Sequence, residues 1–295
     1  MVVFFTAAFL WTDKWYLRAQ STVCLTRSTP VSDDKETSGP RISIDEVNFS
    51  GFLQMPASDR DQIADSIKQQ DYGSSLDGLI DDAAERVKAG WQNSGYFKVQ
   101  VSGKEATLTR SLTDHHIALS FHVNEGVQYR LGEITFKNNK VISDASALRG
   151  LLPIKDGDIF SREKIATGLD NLRKAYGGMG YINFIAIPDT KVDDDNRLVT
   201  LDVDLDEGKQ YQMGVIDILG LDEPARQELL ENFPMKRGQI YDERLFHSFL
   251  VNHASMFRGR GVNVSHDDKA GTVSVSFDFR PHANCQPDPP IVHAP

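Results

Sequence analysis

Residue types able to do chemistry are sparse in this 295-residue chain. The densest acidic run is Asp193-Asp194-Asp195-Asn196, whose carboxylates suggest a calcium loop. An EF-hand loop needs D-x-[DN]-x-[DN]-G with a distant Glu. Leu198 stands where that glycine belongs, so the run reads as a solvated hairpin turn. His115 and His116 are adjacent at the start of a strand pattern and point to opposite faces, which rules out a shared metal. His247 and His253 are six apart on a helical pattern and do not share a face. No G-x-S-x-G nucleophile motif is present. Gly177-Gly178-Met179-Gly180 closes a helix instead of opening one, and no Walker lysine follows, so it is not a phosphate loop. Cys24 and Cys285 lie in irregular terminal segments without CxxC or Cys/His spacing. They read either as two unpaired thiols or as one disulfide joining the tails. These residues assign no catalytic, cofactor-binding or metal-ligating role, and the chain reads as a non-enzyme.

The elements must then carry the function. A net charge of -10 without a basic stripe argues against nucleic acid, which needs clustered Lys and Arg. No apolar run approaches the roughly 20 residues of a membrane-spanning helix. Val2–Trp11 is apolar and short. Residues 1–40 read as a degraded secretory signal, as the remnant of an earlier domain, or as a buried N-terminal element.

Beyond that segment the chain repeats itself. "YRLGEITF" (Tyr129–Phe136) reads as a strand whose alternation changes phase at Gly132-Glu133. Leu131 and Ile134 are three apart, so a bulge is expected there. A short helix over "DASALRGLL" follows. Ser161 then caps a long helix with an Ile165, Leu169, Leu172 and Tyr176 stripe, and "YINFIAI" and "LVTLDVDL" are two strands. The order is strand, helix, helix, strand, strand. Its first strand recurs from Ile42, Tyr129 and Tyr211, in steps of 87 and 82 residues. The break before the long helix recurs as "GSSLD" (73–77), "GDIFS" (157–161) and "GQIYD" (238–242). The helix exit recurs at Gly95, Gly180 and Gly261, and the repeat end as "NEG" (Gly126) and "DEG" (Gly208). These five glycines are read as structural joints. Three units result, 41–126, 127–208 and 209–281, followed by a Pro-rich 282–295 that reads as a disordered tail.

This pattern resembles the polypeptide-transport-associated (POTRA) domain, arranged in tandem in the periplasmic arm of the outer-membrane barrel-assembly insertases. The resemblance covers about residues 41 to 281, with a longer strand hairpin in the first copy. It implies an α+β fold of small β-α-α-β-β domains, each a three-stranded mixed sheet covered on one face by two helices. It also implies a place in the periplasm of a Gram-negative-type envelope, associated with the outer membrane through partners. Those partners are unfolded outer-membrane proteins, or a separate barrel or assembly lipoprotein, and no cofactor is implied. The 14 residues after Pro281 leave no room for the barrel that follows in the insertases. The chain therefore reads as the arm without the pore, with a fragment of a full-length insertase and a structural surface adaptor as the alternatives.

In that family the second strand lies on a sheet edge, where an extended chain can add to it. The candidate edges are Tyr96–Val101, Tyr181–Ile187 and Val262–His266. The middle one, Tyr181, Ile182, Asn183, Phe184, Ile185, Ala186 and Ile187, carries no charge and is the candidate client-binding strand.

Overall fold

The computed structural model describes residues 21–24, 41–70, 78–110, 114–258 and 260–280. It begins with a short strand, β1 (Ser21–Cys24). The first repeat follows as β2 (Arg41–Ser50), α1 (Ala57–Lys68), α2 (Leu79–Asn93), β3 (Gln100–Arg110) and β4 (Asp114–Asn124). The second is β5 (Arg130–Lys137), α3 (Ala145–Arg149), α4 (Arg162–Gly177), β6 (Ile185–Asp193) and β7 (Leu198–Asp206). The third is β8 (Gln212–Leu219), α5 (Glu223–Asn232), α6 (Glu243–Asn252), the single-turn α7 (Ala254–Phe257), β9 (Gly261–Asp267) and β10 (Thr272–Asp278). The strand-helix-helix-strand-strand order thus stands three times. The longer hairpin expected in the first repeat is the β3–β4 pair.

All three sheets share one topology. The last strand is central, paired parallel to the first and antiparallel to the second, in orders β2-β4-β3, β5-β7-β6 and β9-β10-β8. The middle strand of each repeat therefore lies on the far side of its sheet. The third sheet carries one strand more than the sequence pattern implies, because β1 pairs antiparallel with β9. Strand pairing between residues so far apart in sequence has no local signal.

The bulge falls where the phase change places it. The β5–β7 register shifts between Leu131 and Ile134, and both side chains are buried on the core face. A side chain at Gly132 would meet Thr200 Oγ1 at 2.6 Å, and one at Gly214 in the third repeat would meet Ser274 Oγ at 2.6 Å. These glycines let the bulged strand lie close to its neighbour. Ser161 does cap α4, accepting the Lys164 N–H at 3.3 Å, and Asp242 caps α6 at the corresponding point. The "GSSLD" break of the first repeat lies outside the described residues.

Each sheet is sealed by an aromatic residue at the end of the long helix: Trp91, Tyr176 and Phe257, all fully buried. Removing such a ring from water stabilises by about 2–3 kcal/mol. The chain forms two compact units. One holds Pro30–Tyr176 with Asn183–Gly208, and the other holds Met1–Thr29, Gly177–Ile182 and Lys209–Pro295. In the second unit Ile182 packs against the core of the third repeat.

Candidate functional site

The candidate client-binding strand is entered later than the sequence pattern suggests. Tyr181 to Phe184 form the turn leading out of α4, and only Ile185, Ala186 and Ile187 lie on β6. Phe184 is buried and stacks on Tyr176 with ring centroids 4.0 Å apart. Its apolar character belongs to the core. Ile185 and Ile187 are exposed, 46% and 56%, on the sheet face away from the helices. Among the described residues no strand pairs with the outer side of β6.

The edge is nonetheless defended. Pro188 sits in register with Val203. A proline is accommodated in a paired strand only where its nitrogen faces away from the ladder. Because hydrogen-bonding direction alternates along an antiparallel strand, Ala186 and Thr190 share that outward row. Pro188 leaves a gap between their two outward N–H donors. Asp189, Lys191 and Asp193 then charge the rest of the strand, as protected edges do. In the first repeat, β3 carries Lys104, Glu105 and Arg110. β9 has neither proline nor charge from Gly261 to Ser265.

The joints are built in the same way twice. Gly95 has φ +91° and its carbonyl accepts the Tyr129 N–H at 2.8 Å, while Gln128 Nε2 donates to the Ser94 carbonyl at 2.8 Å. Gly180 has φ +87° and its carbonyl accepts the Tyr211 N–H at 2.9 Å, while Gln210 Nε2 donates to the Met179 carbonyl at 2.9 Å. A Cβ at Gly95 or Gly180 would lie 2.9 or 2.7 Å from the carbonyl oxygen of Tyr129 or Tyr211. Only glycine permits both the left-handed backbone and that approach. Gly126 and Gly208 also have positive φ, at +69° and +64°. Gly261 differs. It is the first residue of β9 and pairs with Asp278.

Asp194, from the acidic run, belongs to the first joint. It accepts from Tyr129 Oη at 2.6 Å and from Lys98 Nζ at 2.6 and 2.8 Å. The Lys98 hydrogen bond, followed by that from Tyr129, holds the Asp194 carboxyl below its ordinary range. Desolvation and Asp194 raise the Tyr129 phenol. Asp193 turns inward on its own hairpin, accepting from the Asn196 backbone and side-chain amides at 2.9 and 2.8 Å. Tyr211 Oη donates to Asp268 at 2.5 Å in the third repeat, so the strand-leading tyrosine holds a hairpin aspartate there too. In the first joint the Glu163 N–H also donates to Asn93 Oδ1 at 2.9 Å, and Phe97 meets Phe160 edge-on at 5.2 Å. In the other unit, glycines stand close to the start of α6. A Cβ at Gly177 or Gly178 would meet the side-chain ends of Glu243 or Arg244 within 2.4 Å.

The carboxylates of "NEG" and "DEG" are structural latches that sequence reading missed. Glu125 is 1% exposed and accepts from Trp91 Nε1 at 2.8 Å and from the Met55 N–H at 3.2 Å. Glu207 accepts from Tyr176 Oη at 2.8 Å and the Val141 N–H at 2.9 Å. Each ties the end of the last strand to the long helix and to the loop after the first strand. The third repeat has Phe257 at the helix position and Phe279 packed against it at 5.8 Å, so donor and acceptor are absent together. The histidines serve locally: His116 Nδ1 lies 2.9 Å from Asp45, and His253 Nδ1 lies 2.9 Å from the Phe249 carbonyl. Arg260 of "FRGRG" donates to the Phe279 carbonyl at 2.9 Å. Among the described residues no three His, Cys, Asp or Glu side chains are grouped to hold a metal.

An arrangement of repeated mixed sheets, each with its last strand paired between the first and the second, is that of tandem POTRA domains. Residues 129–208 match the POTRA family model, the surface antigen variable number repeat. The chain is 24% identical over 255 residues to the outer membrane protein assembly factor BamA of Neisseria meningitidis serogroup B, covering 80% of this chain and 31% of that protein. It is 26% identical over 209 residues to a putative outer membrane protein assembly factor of Treponema pallidum, covering 66% of this chain and 24% of that one. It spans about a quarter to a third of the length of these relatives. The crystal structure of Haemophilus influenzae BamA POTRA3-5 shares the fold, with a TM-score of 0.60 at 18% identity over 81% of this chain and 95% of that one. The chain is built of tandem POTRA domains and is homologous to those of outer membrane protein assembly factors.

Proposed function

We propose that this chain acts without catalysis in outer-membrane protein assembly or polypeptide transport. It works on the periplasmic side of the outer membrane of a Gram-negative-type envelope. It receives extended segments of unfolded outer-membrane proteins, or docks a separate barrel or assembly lipoprotein, by adding their strands to its sheet edges. Backbone pairing is nearly indifferent to side-chain sequence, which suits many different clients. The observation that carries this reading is the sheet topology, which leaves β6 on a sheet edge with no strand on its outer side among the described residues and with Ile185 and Ile187 exposed.

Proline at Phe184 or Ile185 is a poor probe, because the first is core and the second faces the β7 ladder. Ala186→Pro and Thr190→Pro each remove one outward N–H instead. Binding of a urea-denatured outer-membrane protein is measured after dilution, with circular dichroism as the fold control. Loss of capture by these variants and by Ile185→Asp/Ile187→Asp, with the spectrum intact, supports strand addition at β6. Unchanged capture by all three overturns it at that edge.

A further inference from the structure

We infer that the outer edge of β9 is a strand-acceptor surface whose built-in occupant is this chain's own Ser21–Cys24. The pairing is antiparallel, with Ser21, Thr22, Val23 and Cys24 opposite Val264, Asn263, Val262 and Gly261. β3 carries charges, and β6 carries a proline followed by charges. β9 reads Gly-Val-Asn-Val-Ser before its first titratable residue. An edge of that composition invites pairing with another chain unless something covers it. Here the cover is a strand, not a charge or a bulge.

A covering strand differs from a permanent blocking charge because it can leave. Four register pairs make a short ladder, yet a tethered segment acts at an effective concentration of ~mM. A free segment reaches β9 only by displacing β1. The fitting partner is an extended, uncharged, β-branched segment like β1 itself, matching the uncharged Gly261–Ser265 edge. The inference shares with the proposed function only the premise that these edges accept strands, and its first test involves β1 and β9 alone.

The full-length chain carrying Gly261→Cys and Cys285→Ser places a thiol opposite the native Cys24. Position 261 has room, since among the described residues a Cβ there meets Asp278 Cβ alone, at an ordinary 3.5 Å. Opposite residues of an antiparallel pair fall within the Cα separation a disulfide spans. Mild oxidation is expected to give an intramolecular disulfide in the monomer, mapped by mass spectrometry. The second test uses a fluorescein-labelled peptide copying residues 18–27 with Ser for Cys24. Its expected affinity is about tenfold or more higher for the full-length Val23→Pro chain than for wild type, as expected when a tethered competitor is removed. Binding to the disulfide-locked chain should vanish and return on reduction. A disulfide joining two chains, failure to form one, or equal peptide binding by wild type, Val23→Pro and the locked chain overturns the inference. If both tests succeed while denatured outer-membrane protein is not captured, the inference stands and the proposed function falls.

Discussion

Trp91, Tyr176 and Phe257 occupy one position of the repeat, but the third has changed its chemistry. The first two donate to a buried carboxylate, and the third packs against Phe279. A buried Glu stripped of donors is costly, whereas an aromatic pair has no polar group to satisfy. Trp91→Phe removes the indole donor and leaves Glu125 with its backbone donors. A loss of about 1–3 kcal/mol is expected in urea unfolding, and Trp91→Phe/Glu125→Leu should recover part of it. Tyr176→Phe should cost about 1 kcal/mol through Glu207. If Trp91→Phe unfolds at the wild-type midpoint, Glu125 is not a latch. Sequence marked Glu125 and Glu207 only as punctuation, because a residue in the last turn of the helix and one at the repeat end meet only in the folded domain. The recurrence of both in two repeats, and their joint loss in the third, was the available signal.

At the scale of elements the joints decide how repeats are placed in sequence. Gly95→Ala puts a side chain at φ +91° and 2.9 Å from the Tyr129 carbonyl. The backbone strain alone is about 1–2 kcal/mol, and the clash with main chain adds to it. Gly126→Ala meets nothing within 4 Å and should show only the strain. Thermal unfolding of the two variants separates the effects, and equal losses would contradict the contact geometry. Lys98→Ala should cost no more than about 1 kcal/mol, since the pair is exposed and screened by salt. Protease sensitivity around residues 94–99 would reveal any loosening. The element order, the bulge and the Ser161 cap were legible because each rests on residues within a few positions of one another. The start of β6 was misplaced because the Tyr181–Phe184 run is apolar for the core and extended in pattern, yet forms a turn.

Across the whole molecule, three aspartates are held by cationic or hydroxyl donors. Lys98 and Tyr129 hold Asp194 below the usual carboxylate range, and Lys191 and Thr135 do so for Asp202. Asp278 is lowered chiefly by Arg280. A carboxyl lowered in the folded state contributes stability above its unfolded value near ~4 and loses it as pH falls through the folded value. The melting temperature should therefore be nearly level from about pH 8 to 5 and decline below about pH 4. Asp194→Asn/Asp202→Asn should make that decline shallower. A double variant with the wild-type acid slope would show that these carboxyls do not set it.

Sequence by itself determined the recurrence of the repeat, its α+β element order, the bulge at Gly132 and the recurring glycines at positions 95 and 180. These are consequences of short-range periodicity, capping and backbone sterics, which act between near neighbours. Tertiary structure decided which strand is central, where Pro188 breaks the outer row of β6, how Asp194 and Glu125 find their donors, and that Ser21–Cys24 lies along β9. Each of those depends on residues brought together from tens to hundreds of positions apart. Strand pairing over such separations depends on complementary edges and closure of the chain, and local sequence does not encode it.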